Sequence, residues 1–280
     1  MLAPSAGTLP PGHWLVEPYV FDGIQYGSYD RNGKLTSAAH ANSYGSLTYV
    51  IYGLAKRLSV GMIPTFGVNA PHGGPSTLGV RFGDLAVDAQ YQLTKYRGDS
   101  WIPMTAINVQ ETFPTGEYDR LGDNPSNGFG SGAYTTTISL YTQTYFWTHR
   151  GRVLRMRVDA SQSFSSAVAV EGVSVYGTSA AFQGTARLGK TFSLDLAQEY
   201  SITRNWVFAT DLLYKHSGNT QIGGLGSVTN SGSSDAYFVA PAIEYNWTPN
   251  AGILLGLRTN PAGMNVSATL VPALAINMVR

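Results

Sequence analysis

Along most of this chain apolar and polar residues alternate with a period of two, in segments of about ten residues, and only extended strands with two unlike faces use such a pattern. From Trp206 one parity reads Trp206, Phe208, Thr210, Leu212, Tyr214 and the other Val207, Ala209, Asp211, Leu213, Lys215. The split recurs as Leu85, Val87, Ala89, Tyr91, Leu93 against Asp84, Ala86, Asp88, Gln90, Gln92, and as Leu154, Met156, Val158 against Arg155, Arg157, Asp159, Ser161. Near the end of the chain Leu270, Pro272, Leu274, Ile276, Met278 oppose Thr269, Val271, Ala273, Ala275, Asn277. One row is greasy; the other mixes small polar residues with charge. Helical periodicity is hard to find.

Twelve such segments predict strands near residues 13–21, 43–54, 57–68, 83–95, 101–113, 132–147, 151–164, 186–202, 204–216, 235–247, 250–258 and 265–279. Their connections alternate between short and long. Short turns fall at 55–57, 96–100, 148–151, 203–204 and 248–250, whereas 22–42, 69–82, 114–131, 165–185, 217–234 and 259–264 read as loops rich in Gly, Asn and Ser. An even strand number with tight turns at one end and long loops at the other is the layout of a transmembrane antiparallel β-barrel, with periplasmic turns and extracellular loops. A single barrel domain spanning 1–280 follows, with 1–12 as an N-terminal extension, because no linker or composition break divides the chain.

Two placements support an all-β membrane barrel. The five tryptophans, Trp14, Trp101, Trp147, Trp206 and Trp247, all lie near the short-turn end or the start of the first strand, as a girdle at one membrane interface would. The ionisable residues within strand cores, Glu17, Asp84, Asp88, Arg155, Arg157, Asp159, Asp195, Glu199, Asp211, Lys215, Glu244 and Arg258, all fall on the face opposite the apolar one; Glu111 is the exception, at a strand end. The competing reading is a soluble β-sandwich. Its outer face would be rich in Lys and Glu, yet charged residues make up 12% of this chain, and the polar rows are mostly Ser, Thr, Gly, Ala and Asn. A lumen suits that face better. No run approaches the ~18 apolar residues of a membrane-spanning helix. A net charge of +1 gives no footprint for nucleic acid, and the absence of cysteine excludes disulfides, thiolate metal sites and Cys nucleophiles.

Three segments carry a family likeness: Tyr52-Gly-Leu-Ala-Lys-Arg-Leu-Ser-Val-Gly61, Phe82-Gly-Asp-Leu-Ala-Val-Asp-Ala-Gln-Tyr-Gln-Leu93 and Phe113-Pro-Thr-Gly-Glu-Tyr-Asp119. In that order and spacing the chain resembles, from about Tyr44 onward, the outer-membrane channel family labelled "MetA-pathway of phenol degradation", the COG4313-type channels. The resemblance implies a twelve-strand barrel and uptake of small, often aromatic or otherwise hydrophobic, compounds. One departure is the chain's ending, Asn277-Met-Val-Arg280, where outer-membrane strands usually end in an aromatic residue.

The lumen charges are the main functional candidates. Arg155, Arg157 and Asp159 share one row, and Asp195 and Glu199 lie on the following strand; opposed acids and bases of this kind either narrow a pore and set its field or simply fill it with ion pairs. Eight of the twelve are acidic and four basic, from which a mild cation preference is expected. Tyr19, Phe21, Tyr52, Phe238 and Leu254 are assigned as apolar pore-lining residues, a greasy path for an aromatic solute or packing that fills the barrel. The inward glycines Gly61, Gly67, Gly252 and Gly256 relieve crowding or mark kinks.

Catalysis has little to build on. Among His13, His40, His72, His149 and His216 only His216 has an adjacent serine, and neighbouring strand residues point to opposite faces. Glu117, Asp119 and Asp123 form an acid-rich loop that either binds a divalent cation or is simply solvated, and no metal site is assigned. Gly223-Gly-Leu-Gly226 precedes no helix, so it is not a phosphate loop. Lys56, Arg57, Lys95, Arg97, Arg150, Arg152 and Arg204, with only Asp99 against them, cluster at the short turns and suit anchoring at inner-leaflet headgroups. The expected role is a passive channel without cofactors, monomeric in outer-membrane lipid and lipopolysaccharide, with a small-molecule permeant and no nucleic acid. A general small-solute porin, an outer-membrane hydrolase and a structural or adhesin barrel are the alternatives. The N-terminal residues lack a cationic region followed by an apolar one, so this location requires a signal peptide already removed.

Overall fold

The computed structural model describes residues 3–98, 101–148, 151–224 and 227–280. The strands are β1 (Trp14–Tyr29), β2 (Leu35–Ala55), β3 (Leu58–Ile63), β4 (Thr65–Ala70), β5 (Arg81–Phe82), β6 (Leu85–Thr94), β7 (Met104–Phe113), β8 (Thr135–Trp147), β9 (Val153–Ser165), β10 (Ala167–Glu171), β11 (Gln183–Arg187), β12 (Thr191–Ser201), β13 (Trp206–Ser217), β14 (Gln221–Gly224), β15 (Ser227–Asn230), β16 (Ser234–Thr248), β17 (Ala251–Met264) and β18 (Val266–Val279). Every pairing is antiparallel, and β1 bonds both β2 and β18, so the sheet closes on itself as a twelve-stave barrel with no free edge. In two staves β3 runs on into β4 past Pro64, and β5 into β6 past Gly83 and Asp84. The seam is finished by the chain ends, where the Trp14 and Arg280 amides each donate to the other's carbonyl.

Alternation makes this barrel apolar on its outside. Leu196 and Leu212, on the greasy rows, are 44% and 49% exposed, while Ala197 and Asp211 beside them are fully buried. In a soluble protein the order would be reversed, so the outer rows are built for lipid. Inside, small residues on neighbouring staves make room for a large one: Ala209, Ala242, Leu254 and Ala275 form one cluster under Tyr19. A charge on the lipid side should be costly. Leu212→Arg is expected to destabilise the barrel by about 2–4 kcal/mol in a urea titration in lipid vesicles. An unchanged midpoint would place this row away from the bilayer.

Two segments read as loops are strands instead. Residues 22–29 and 35–42 extend β1 and β2 into one long hairpin whose turn is only Asp30 to Lys34, and 259–264 belongs to β17, which turns into β18 at Asn265 alone. Gly23 to Tyr29 keep extended structure with little apolar contrast, and Tyr29 is buried, its hydroxyl donating to the Asn260 carbonyl at 3.1 Å. The Lys34 and Asn32 amides donate to the Asp30 side chain, holding its carboxyl below the usual range. Asn265, with φ of 49°, takes the left-handed conformation that asparagine tolerates, and its amide donates to the Asp30 carbonyl, joining the two hairpin tips.

The segments 165–185 and 217–234 likewise contain strands. Here β10, β11, β14 and β15 form a four-stranded sheet that prolongs four staves beyond a crease in the ladder. The register survives the crease: Ser163 pairs with Thr191 and, four residues on, Ala167 pairs with Arg187. One face of this sheet, through Val168, Val170 and Ala186, carries a cluster completed by Ala133, Tyr118, Tyr176 and Phe182 from the neighbouring loops. Burial and the nearby Asp84 carboxylate push the Tyr176 phenol up to about 12.

Candidate functional site

The inward rows of β9, β12 and β13 form a charged arc of wall. Near the short-turn end Glu199 pairs with Arg155 at 3.2 Å and with Arg157, whose guanidinium is almost completely buried. Arg155 also donates to Gln143 Oε1 at 2.7 Å and lies 6.0 Å from the Tyr145 ring. Deeper in the lumen Asp159 and Asp195 are register partners and both buried, with Asp211 on the next stave. Directly opposed carboxylates repel, and Arg157, two residues from Asp159 on the same row, is the counter-charge closest in sequence. Asp159 accepts the Thr142 amide at 3.3 Å. On β6 Asp88 accepts from Asn108 at 2.7 Å; on β16 Glu244 accepts from Asn246 at 2.8 Å and Asn277 at 3.2 Å.

A second arc, from β1, β2, β16, β17 and β18, is apolar. Tyr19, Phe21, Leu47, Tyr49, Leu254 and Val271 line a cavity of about 140 Å³ with Arg258 at its edge. Tyr19 donates to Glu17 at 3.1 Å and meets Tyr49 edge to face at 5.9 Å. Arg258 lies 5.4 Å over the Phe238 ring, and Lys215 projects from β13, exposed to the lumen. The inward glycines are beds for side chains: a Cβ on Gly67 would meet the Phe129 ring at 2.7 Å, one on Gly252 would strike Asn246, and one on Gly61 would strike Asp88. Gly256 has ordinary contacts only, 3.4 Å at the nearest.

Residues 3–12 are more than an extension: the first seven thread the lumen as a strap. Leu9 donates its amide to Ser59 Oγ at 2.9 Å, Thr8 its hydroxyl to Gln92, and Ala6 its amide to Gln143. Gln90 donates back to the Ser5 carbonyl at 2.9 Å, and Arg157 to the Ala3 carbonyl at 2.6 Å. A Cβ at Gly53 would collide with the Pro10 carbonyl, so the strap enters across a stave that has no side chain there. Beside it remains a cavity of about 1030 Å³, lined by Glu17, Tyr49, Arg155, Arg157, Glu199 and Glu244 among others. The inward glutamines were the available sequence signal, since amides facing a lumen need partners.

Some expected positions differ. Tyr52 does not line the pore: it pairs in register with Trp14 on the outward face, ring centroids 4.5 Å apart, and belongs to the girdle. Trp206 stacks on Tyr245 at 4.8 Å, and Trp247 shares its outward row. Trp101 lies in a turn, and Trp147 follows Gln143 and Tyr145 on the inward row, so its exposed ring sits at the rim. Asp84 lies between β5 and β6, where it takes the Gly116 amide and both the amide and hydroxyl of Ser131. It is a loop anchor. Asp84→Ala is expected to expose 114–131 to limited proteolysis in intact vesicles; cleavage no faster than in the wild type would refute the anchoring.

Glu111, on an outward row near the end of β7, accepts the Thr136 hydroxyl at 2.6 Å. His216 contacts Asp235 at 2.8 Å on the outside, whereas Ser217 takes a Thr191 hydroxyl on the inward row. Glu117 pairs with Arg81 at 3.2 Å, and Asp119 accepts the Glu171 amide; among the described residues no group of three metal-ligating side chains converges. Gly223 and Gly224 end β14. His149, Arg150, Asp99 and Gly226 lie outside the described residues.

A closed twelve-stave barrel with a strapped, two-faced lumen can be compared directly with solved barrels. The COG4313 outer membrane channel from Pseudomonas putida F1 superposes with a TM-score of 0.77 at 16% identity, covering 100% of both chains. The chain has that channel's fold. The transport unit of the autotransporter AIDA-I from Escherichia coli reaches 0.51 at 8% identity over 99% of this chain and 93% of that one, and the NanC porin 0.50 at 12% over 93% and 98%. No family model and no curated protein matches the sequence.

Proposed function

We propose that this chain is a passive channel of the bacterial outer membrane, of the COG4313 type, carrying small hydrophobic or aromatic molecules. The observation that carries the reading is the aromatic arc of Tyr19, Phe21 and Tyr49 inside a barrel whose outer rows are already apolar. A chain that needed only to fill its lumen with ion pairs gains nothing from an open apolar hollow there. The fold shared with an outer membrane channel supports the transport half of the reading. The tryptophans and the cations Lys56, Arg57 and Arg204 near the short turns support an orientation with those turns in the periplasm, the monomer sitting in lipid and lipopolysaccharide.

The charged arc of Arg155, Arg157 and Glu199 favours a second reading, a general porin for small polar solutes. Planar bilayers and vesicles separate the cases. Stepwise conductance with faster entry of a neutral arene than of a sugar of similar size is expected; faster entry of the sugar would favour the porin. A sample without conductance that hydrolyses an ester or peptide, and loses that activity when one serine is changed, would overturn both.

A further inference from the structure

We propose that the lumen holds a binding site for a single-ring aromatic anion, its ring in the Tyr19–Phe21–Tyr49 hollow and its charge on Arg258 and Lys215; the site rests on the channel reading above. The hollow, at about 140 Å³, matches the roughly 150 Å³ of an apolar cavity that takes a benzene ring. Leu254 and Val271 close its sides. It holds one ring and little more.

The cationic edge is the unusual part. Among the described residues neither Arg258 nor Lys215 forms an ion pair, whereas Arg155 and Arg157 share Glu199. Arg258 Nε is buried without a hydrogen-bond partner, and the guanidinium rests on Phe238 at 5.4 Å. Lys215 stands two residues past Leu213, the register partner of Phe238, on the inward row of the neighbouring stave. Tyr49, which lines the same hollow, has a hydroxyl with no hydrogen-bond partner among the described residues. Arg258, half-buried with its Nε unsatisfied, is an unpaired cation held at a cost, and a permeant carboxylate supplies what the wall omits. A neutral arene leaves the cations as they were, and an inorganic anion leaves the hollow wet.

Single-channel recording with sodium benzoate as the probe tests this. Benzoate is expected to interrupt the KCl current at concentrations where benzyl alcohol does not. Arg258→Gln should raise the concentration for half-block by about ten-fold or more, the loss of one charged contact. Arg258→Lys should recover part of it, and Lys215→Gln should have a smaller effect. Heat-modifiable gel mobility reports whether each variant is folded. Equal block by benzoate and benzyl alcohol, or half-block unchanged in both Gln variants, overturns the site. A wild type that conducts no KCl overturns the channel reading itself, a result distinguishable from the other two.

Discussion

Deleting residues 3–9 raises the single-channel conductance by about two-fold or more, because the narrowest part of a pore governs its current. The strap runs through the lumen beside the Arg157–Glu199 pair and is held there by side chains of Ser59, Gln90, Gln92 and Gln143. It contributes no strand to the barrel ladder, which closes from Trp14 onward, so its removal leaves every stave paired. Gln90, Gln92 and Gln143 then face water and lose little. Planar bilayer recording of the deletion beside the full chain reads the effect. Equal conductance would mean that ions already pass freely beside the strap or are limited elsewhere.

Glu199→Gln has the second large effect, on stability and selectivity together. One carboxylate serves two guanidiniums, and the Arg157 side chain is only 3% exposed. Removing one partner of a buried pair costs about 3 kcal/mol. With Asp84 a loop anchor, the same change takes one acid from the seven that outnumber four bases along the lumen. In a KCl gradient the reversal potential is therefore expected to move toward anions, from a wild-type value on the cation side. Urea unfolding in vesicles measures the first effect. A midpoint equal to that of the wild type would show that water or Ala3 already compensates Arg157.

The lipid belt explains what the sequence could reveal. On β13 the bilayer forces Phe208 and Leu212 outward and leaves Asp211 inside, so parity alone assigns the faces. That rule weakens where the membrane ends. Gly23 to Tyr29 are strand with little apolar contrast, and Trp147 sits at a rim where an inward row still reaches open solvent. Tyr52 was assigned to the wrong face because its stave continues past a bulge near Ala55, while its contact with Trp14 comes from the register of the long β1–β2 hairpin. The strap escaped for a different reason: Ala3 to Thr8 are small and aperiodic, and their partners come from staves far away in the chain.

The crease above the barrel has an engineering consequence. Across all three stave pairs the pairing resumes after the same step of four residues, from Ser163–Thr191 to Ala167–Arg187, from Thr191–Ser217 to Arg187–Gln221, and from Ser217–Ser234 to Gln221–Asn230. The four-stranded sheet is thus a modular storey set in phase on the wall beneath it. Whole rungs added to it in matched pairs keep each side chain on its original face. The storey at the long-loop end is therefore free to lengthen, shorten or carry a grafted epitope without re-indexing the wall below.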